Sequence, residues 1–166
     1  GSYPTSYIPT YSVSATRAED NCDKTNASGV IGQTEGTIFI DLNFINTGSV
    51  QVIFSVHDNA SNKRIEIWAN SAVVNGFVGG STSIPIGQTT ITNGRHKIAV
   101  AYDQSGNQAF YLDGVQIGTS ATTYTISSLT VCSFNVWNST LPLNGDVHQA
   151  ELYKERLTNA ELATLT

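Results

Sequence analysis

Methionine is absent from this 166-residue chain, cysteine occurs only twice and proline only four times. With no Met even at its start, the sequence is expected to be a processed or excised piece of a longer protein. Gly1-Ser2 reads as a cloning remnant, and residues 1–20, with Pro4, Pro9 and several Tyr, as an extended arm before a domain over residues 21–166. Cys22 and Cys132 are far apart and in no C-x-x-C arrangement, so His57, His96 and His148 have no ligand spacing with which to complete a zinc site. Two readings remain for the cysteines: one long-range disulfide, or two separately buried thiols.

Charge is scarce as well. Charged residues make up 13% of the chain, where globular domains carry roughly 25%. A helical bundle needs Glu and Lys on its wet faces, so this composition argues against one. Eight Lys and Arg against thirteen Asp and Glu leave a net charge of -5. That balance excludes the basic patch on which nucleic-acid binding depends. No apolar run approaches the ~20 residues of a membrane-spanning helix, and membrane insertion is not expected. The polarity is carried instead by Ser, Thr and Asn, about three residues in ten.

What is present is period-2 alternation broken by Gly and Asn, the pattern of antiparallel strands. Within 37–44, Ile38, Ile40, Leu42 and Phe44 share one face, with Phe39, Asp41 and Asn43 on the other. Val52, Phe54 and Val56 repeat this, opposite Ser55 and His57. A strand over 64–73 places Ile65, Ile67 and Ala69 on one side and Arg64, Glu66, Trp68 and Asn70 on the other. Asn75-Gly76 then reads as a turn into 77–80. Residues 97–103 set Ile98, Val100 and Tyr102 against Ala99 and Ala101, and Asp113-Gly114 predicts a two-residue hairpin between 108–112 and 115–118. Residues 129–134 and 147–153 read as two more strands. Thr158 and Glu161 form a T-x-x-E capping box that opens one short helix, with Ala160 and Leu162 to Leu165 packing on the sheet. The expected fold is all-β: an antiparallel β-sandwich or jelly roll with one short C-terminal helix.

Two segments carry a resemblance. The first is Gly94-Arg95-His96-Lys97-Ile98-Ala99-Val100-Ala101-Tyr102-Asp103 with Phe110-Tyr111-Leu112-Asp113-Gly114. The second is Leu143-Asn144-Gly145-Asp146-Val147-His148-Gln149-Ala150-Glu151-Leu152-Tyr153 with Leu157-Thr158 and Glu161-Leu162. In order and spacing they resemble the concanavalin A-like lectin/glucanase superfamily in its laminin-G-like form. His148 and Gln149 stand where that family usually has an Asp-Glu pair, so no role passes to them. The stretches Ser6-Tyr7-Ile8-Pro9-Thr10 and Val13 to Asp20 are similar to a segment found before such domains in bacteriophage tail and tail-fibre proteins. The resemblance implies a virion protein whose domain contacts the host surface.

Function is then a choice among binding, packing and hydrolysis. The glucanase branch of the superfamily uses E-x-D-x-x-E on one strand, because a retaining mechanism needs two carboxylates about 5–5.5 Å apart. This sequence has no such run. Glu66 is alone on its strand, and Glu151 with Glu155 has the wrong spacing. Sugar binding needs an aromatic face and a few convergent polar groups. Arg64, Glu66, Trp68 and Asn70 supply them on one strand face, and Trp137 offers a second platform; the competing reading has both Trp side chains filling the fold or anchoring a loop. The expected function is therefore non-catalytic adhesion to a surface polysaccharide or glycan of a bacterial host, on a virion appendage. Its rival is a structural module contacting other virion proteins or its own copies through Tyr3, Tyr7, Ile8 and Tyr11. Asp58, Asn59 and Asn62, with Asp103 and Asp113, are the oxygen donors calcium would draw on. All of these suit turns, so no metal and no cofactor is expected. The histidines have no nucleophile motif beside them, and the N-x-S/T sites at Asn26, Asn59 and Asn138 fit chance in so Asn-rich a chain.

Overall fold

The computed structural model describes residues 22–59, 63–80, 83–126, 128–134, 141 and 143–166. The strands in chain order are β1 (Asp23–Lys24), β2 (Glu35–Phe44), β3 (Val50–His57), β4 (Arg64–Asn70), β5 (Val73–Gly79), β6 (Ser83–Thr90), β7 (Gly94–Asp103), β8 (Gln108–Leu112), β9 (Val115–Ser120), β10 (Val131–Ser133) and β11 (Gly145–Tyr153). One helix, α1 (Asn159–Leu165), follows. The strands make two antiparallel sheets, ordered β1-β10-β3-β4-β5-β6 and β11-β2-β7-β8-β9. This is the expected jelly-roll sandwich with its short C-terminal helix.

The alternation sorts the side chains as the pleat requires. Ile38, Ile40, Leu42, Phe44, Ile98, Val100 and Tyr102 face Ile53, Phe54, Val56, Ile65, Ile67 and Ala69 in one core between the sheets. Phe39, Ala99, Ala101 and Tyr111 point the other way and are roofed by Leu162 of α1, with Leu157 and Leu165 packed alongside. Thr158 caps α1: its hydroxyl accepts the Glu161 amide, and the Glu161 carboxylate accepts the Thr158 N–H at 2.7 Å. The hairpin at Asp113-Gly114 is also present, with positive φ at both residues (49° and 80°).

Three local expectations are corrected. Asn75-Gly76 is not a turn. The chain reverses at Ser71-Ala72, where Ser71 takes φ 53°, so β4 ends at Asn70 and β5 begins at Val73. Gly76 serves close approach between the sheets: a Cβ there would lie 2.7 Å from Phe110 Cγ. Second, β3 does not keep one parity. A β-bulge between Val52 and Phe54 places Val52 opposite Trp68, while Phe54 stands opposite Ile67. Val52 is consequently buried yet belongs to neither apolar cluster. Third, β6 is a strand beyond those expected; Pro85 within it is tolerated because β6 is an edge strand.

Candidate functional site

Because Ile65, Ile67 and Ala69 point into the core, their alternates Arg64, Glu66, Trp68 and Asn70 share the outer face of the six-stranded sheet. β4 lies inside that sheet, flanked on both sides. Register sets the neighbours. On β3, His57 stands opposite Arg64, Ser55 opposite Glu66, Val52 opposite Trp68 and Val50 opposite Asn70. On β5 the partners are Gly79, Phe77, Asn75 and Val73.

Arg64 is held in one pose. Its Nε lies 2.9 Å from Glu66 Oε2, and its guanidinium carbon lies 4.8 Å from the centre of the Phe77 ring. A planar cation over an aromatic face, with a carboxylate at its edge, is a fixed fork of donors. Glu66 is nearly covered, with 6% of its side chain exposed against 22% for Arg64. Burial pushes the Glu66 carboxyl up, and the Arg64 charge and hydrogen bond pull it back down. His57 is buried as well, and burial holds its imidazole below the ordinary value despite Asp23 and Asp58 nearby. The Asn59 N–H donates to His57 Nδ1 at 3.2 Å, which leaves the proton of the neutral ring on Nε2.

Trp68 is half-buried between Val52 and Asn75, and Asn70 is exposed at the strand end. The Asn75 side-chain amide donates to the Val73 carbonyl at 3.2 Å. An aromatic ring with one side flanked by an apolar neighbour and the other by a planar amide, on the same strand face as a fixed guanidinium, is a surface that can stack on sugar C–H groups and bond hydroxyls. Phe77 and Asn75 join this face without having been expected there, and His57, expected on the polar face of its own strand, stands opposite Arg64. Phe77 and Asn75 carried the right alternation; the misread turn at Asn75-Gly76 hid it. Trp137 and Asn62 lie outside the described residues, as do residues 1–20 with Tyr3, Tyr7, Ile8 and Tyr11.

The remaining candidates are spread over the molecule. Glu151 is opposite Phe39 on the outer face of the five-stranded sheet, where it accepts from Tyr153 and Gln149. It and Glu66 therefore stand on opposite walls of the sandwich, too far apart to act as a hydrolytic pair. His148 sits at a β-bulge between Val147 and Gln149. Asp103 accepts the Ser105 amide, and Asp113 accepts the Lys97 amide at 2.9 Å and pairs with His96 Nδ1 at 2.7 Å. Both carboxylates serve their turns. Among the described residues no three His, Cys, Asp or Glu side chains gather as a metal site. Cys22 and Cys132 are free thiols, exposed and half-buried respectively.

No family model matches the chain, and no curated protein matches it in sequence. Solved structures share its fold. The carbohydrate-binding module CBM40 of the Ruminococcus gnavus IT-sialidase, solved with α2,3-sialyllactose, superposes with a TM-score of 0.70 at 15% identity, covering 89% of this chain and 97% of that one. A mutant of the NanB sialidase of Streptococcus pneumoniae matches at 0.68 and 9% identity over 87% of this chain and 26% of that one. The SAP-like pentraxin of Limulus polyphemus matches at 0.64 and 17% identity, covering 81% and 70%. At these identities the shared property is the fold alone, a jelly-roll β-sandwich of two antiparallel sheets.

Proposed function

We propose that this chain is a non-catalytic carbohydrate-binding domain that takes a glycan on the outer face of its six-stranded sheet. The observation that carries the reading is Trp68, half-exposed on the same strand face as an Arg64 fork fixed by Glu66 and Phe77. Trp68 provides the stacking surface; Arg64 and Asn70 donate to hydroxyl or carboxylate oxygens; Glu66 holds Arg64. Trp137 is a second platform in the proposal. The sialyllactose bound to the CBM40 neighbour supports an acidic glycan as the first ligand to try. A carboxylated sugar suits the Arg64 donors better than a neutral one, since charge-assisted bonds are the stronger kind.

The setting we propose is a bacteriophage tail fibre or related virion appendage, where the domain adheres to a host-surface polysaccharide. The support is the resemblance of residues 6–10 and 13–20 to a segment found before laminin-G-like domains in such proteins. Repeated copies on one particle would compensate a weak single site by raising effective concentration. A glycan array followed by calorimetry on the best ligand tests the site. Trp68→Ala, with an unchanged far-ultraviolet spectrum, is expected to weaken binding about tenfold or more, ~1.4 kcal/mol. Equal affinity of the two forms would remove Trp68 from the site. Staining of host cells by the labelled domain, competed by their purified polysaccharide, tests the setting.

A further inference from the structure

We infer that Cys22 and Cys132 form a disulfide-exchange pair that ties the segment at β1 to the edge of the six-stranded sheet. β1 is only two residues long and pairs Lys24 with Cys132 and Asp23 with Ser133 on β10. The ladder runs one step further, because the Phe134 N–H donates to the Cys22 carbonyl at 3.4 Å. Cys22 is thereby opposite Phe134, and the two cysteines are diagonal neighbours on one face of the sheet. That face is the inner one: Cys132 and Phe134 pack against the main core. On the other face the Ser133 hydroxyl bonds to Asp23.

Both thiols line one cavity of about 190 Å³ at the sandwich edge, with Phe54, Phe134 and Leu152 around them. Phe54 and Phe134 stack at 5.2 Å and wall off its floor. Diagonal neighbours in an antiparallel pair are about 7–8 Å apart at Cα, and bridged cysteines are usually below about 6.8 Å. Closure therefore asks β1 to move by roughly an ångström, a small demand on a two-residue edge strand whose Cys22 is exposed. Burial and the nearby Cys22 push the Cys132 thiol up, so Cys22 is the thiol that reacts first with an outside partner.

The chemistry is exchange with a low-molecular-weight disulfide such as oxidised glutathione. The Cys22 thiolate attacks one glutathione sulfur, a Cys22–glutathione bond forms and one glutathione thiolate leaves. Cys132 then loses its proton to solvent base and attacks the Cys22 sulfur. The mixed disulfide breaks and the second glutathione thiolate leaves. One oxidised glutathione is reduced, and the two thiol protons pass to the medium.

The test uses the whole chain in glutathione buffers of graded oxidation, read by intact mass and by the rate of trypsin cleavage after Lys24. The expected result is a monomer that has lost two hydrogens and carries no glutathione. Its cleavage after Lys24 should be about tenfold slower than in the reduced form, since proteolysis samples the opened strand. Cys132→Ala should stop at a Cys22–glutathione adduct, and Cys22→Ser should take up little glutathione; neither should gain protection. A wild-type chain that stays reduced, stops at the adduct or crosslinks into dimers overturns the inference. So does a closed monomer cut as fast as the reduced one.

Discussion

At the scale of single residues, two buried ionisable groups on the outer face pull in opposite directions. His57 has its folded-state value lowered from 6.5 by burial, so the unfolded chain takes up the proton first. Its contribution is unfavourable once pH falls below 6.5, and stability is lost as acid is added. Glu66 has its folded-state value raised from 4.5. Keeping it ionised costs stability above that value, and the cost disappears on acidification. The two effects oppose each other on acidification: protonation of His57 in the unfolded chain removes stability as pH falls through 6.5, while protonation of Glu66 in the folded chain restores some of it above 4.5. His57→Gln removes the histidine's part alone, so relative to the unsubstituted protein its unfolding midpoint should gain between pH 7 and about 5; a parallel slope in thermal melts of both would show that another group titrates. Asp41 illustrates the opposite case. Its carboxylate makes a bidentate pair with Arg95 at 2.9 and 2.8 Å, and that hydrogen bonding holds it below the ordinary value. Arg95 remains largely exposed, so the pair is a modest stabiliser that solvent screens.

At the scale of elements, close packing and capping decide what a strand or helix tolerates. Gly76 lies under Phe110 with 2.7 Å to the ring from any added Cβ. Gly76→Ala should cost about 1–3 kcal/mol by overpacking, seen as a lower urea midpoint with an unchanged slope. An unaffected midpoint would mean that the facing sheet gives way freely. α1 is only seven residues long, too short to hold itself in water. It persists through its capping box and through Leu162, which is fully buried. Thr158→Ala should cost about 1 kcal/mol, and hydrogen exchange should accelerate in 159–166 well before it does in β2 or β7. Both features also show where the chain was readable. The T-x-x-E signal was complete in the sequence because every partner in a cap is local. The role of Gly76 was hidden because Phe110 is distant in sequence, and Asn-Gly looks the same whether the glycine serves a turn or a close approach.

At the scale of the whole molecule, the two sheets share one apolar core drawn from both, so neither can lose its partner and stay folded. Urea unfolding followed by tryptophan fluorescence and by far-ultraviolet dichroism should give coincident curves; separated midpoints would show the sheets melting independently. The amino-acid order alone determined the layers: alternation assigns each strand an apolar face, and Gly, Asn and Asp mark several of the reversals. It also determined that Arg64, Glu66, Trp68 and Asn70 share a side, since parity on one strand is a local property. Tertiary structure alone decided what surrounds them. The bulge in β3 turned Val52 toward Trp68, β5 brought Phe77 beneath the Arg64 guanidinium, and β10 set Cys132 near Cys22 across most of the chain. Those contacts join residues far apart in sequence, and a pleat repeating every two residues does not encode which strand lies beside which.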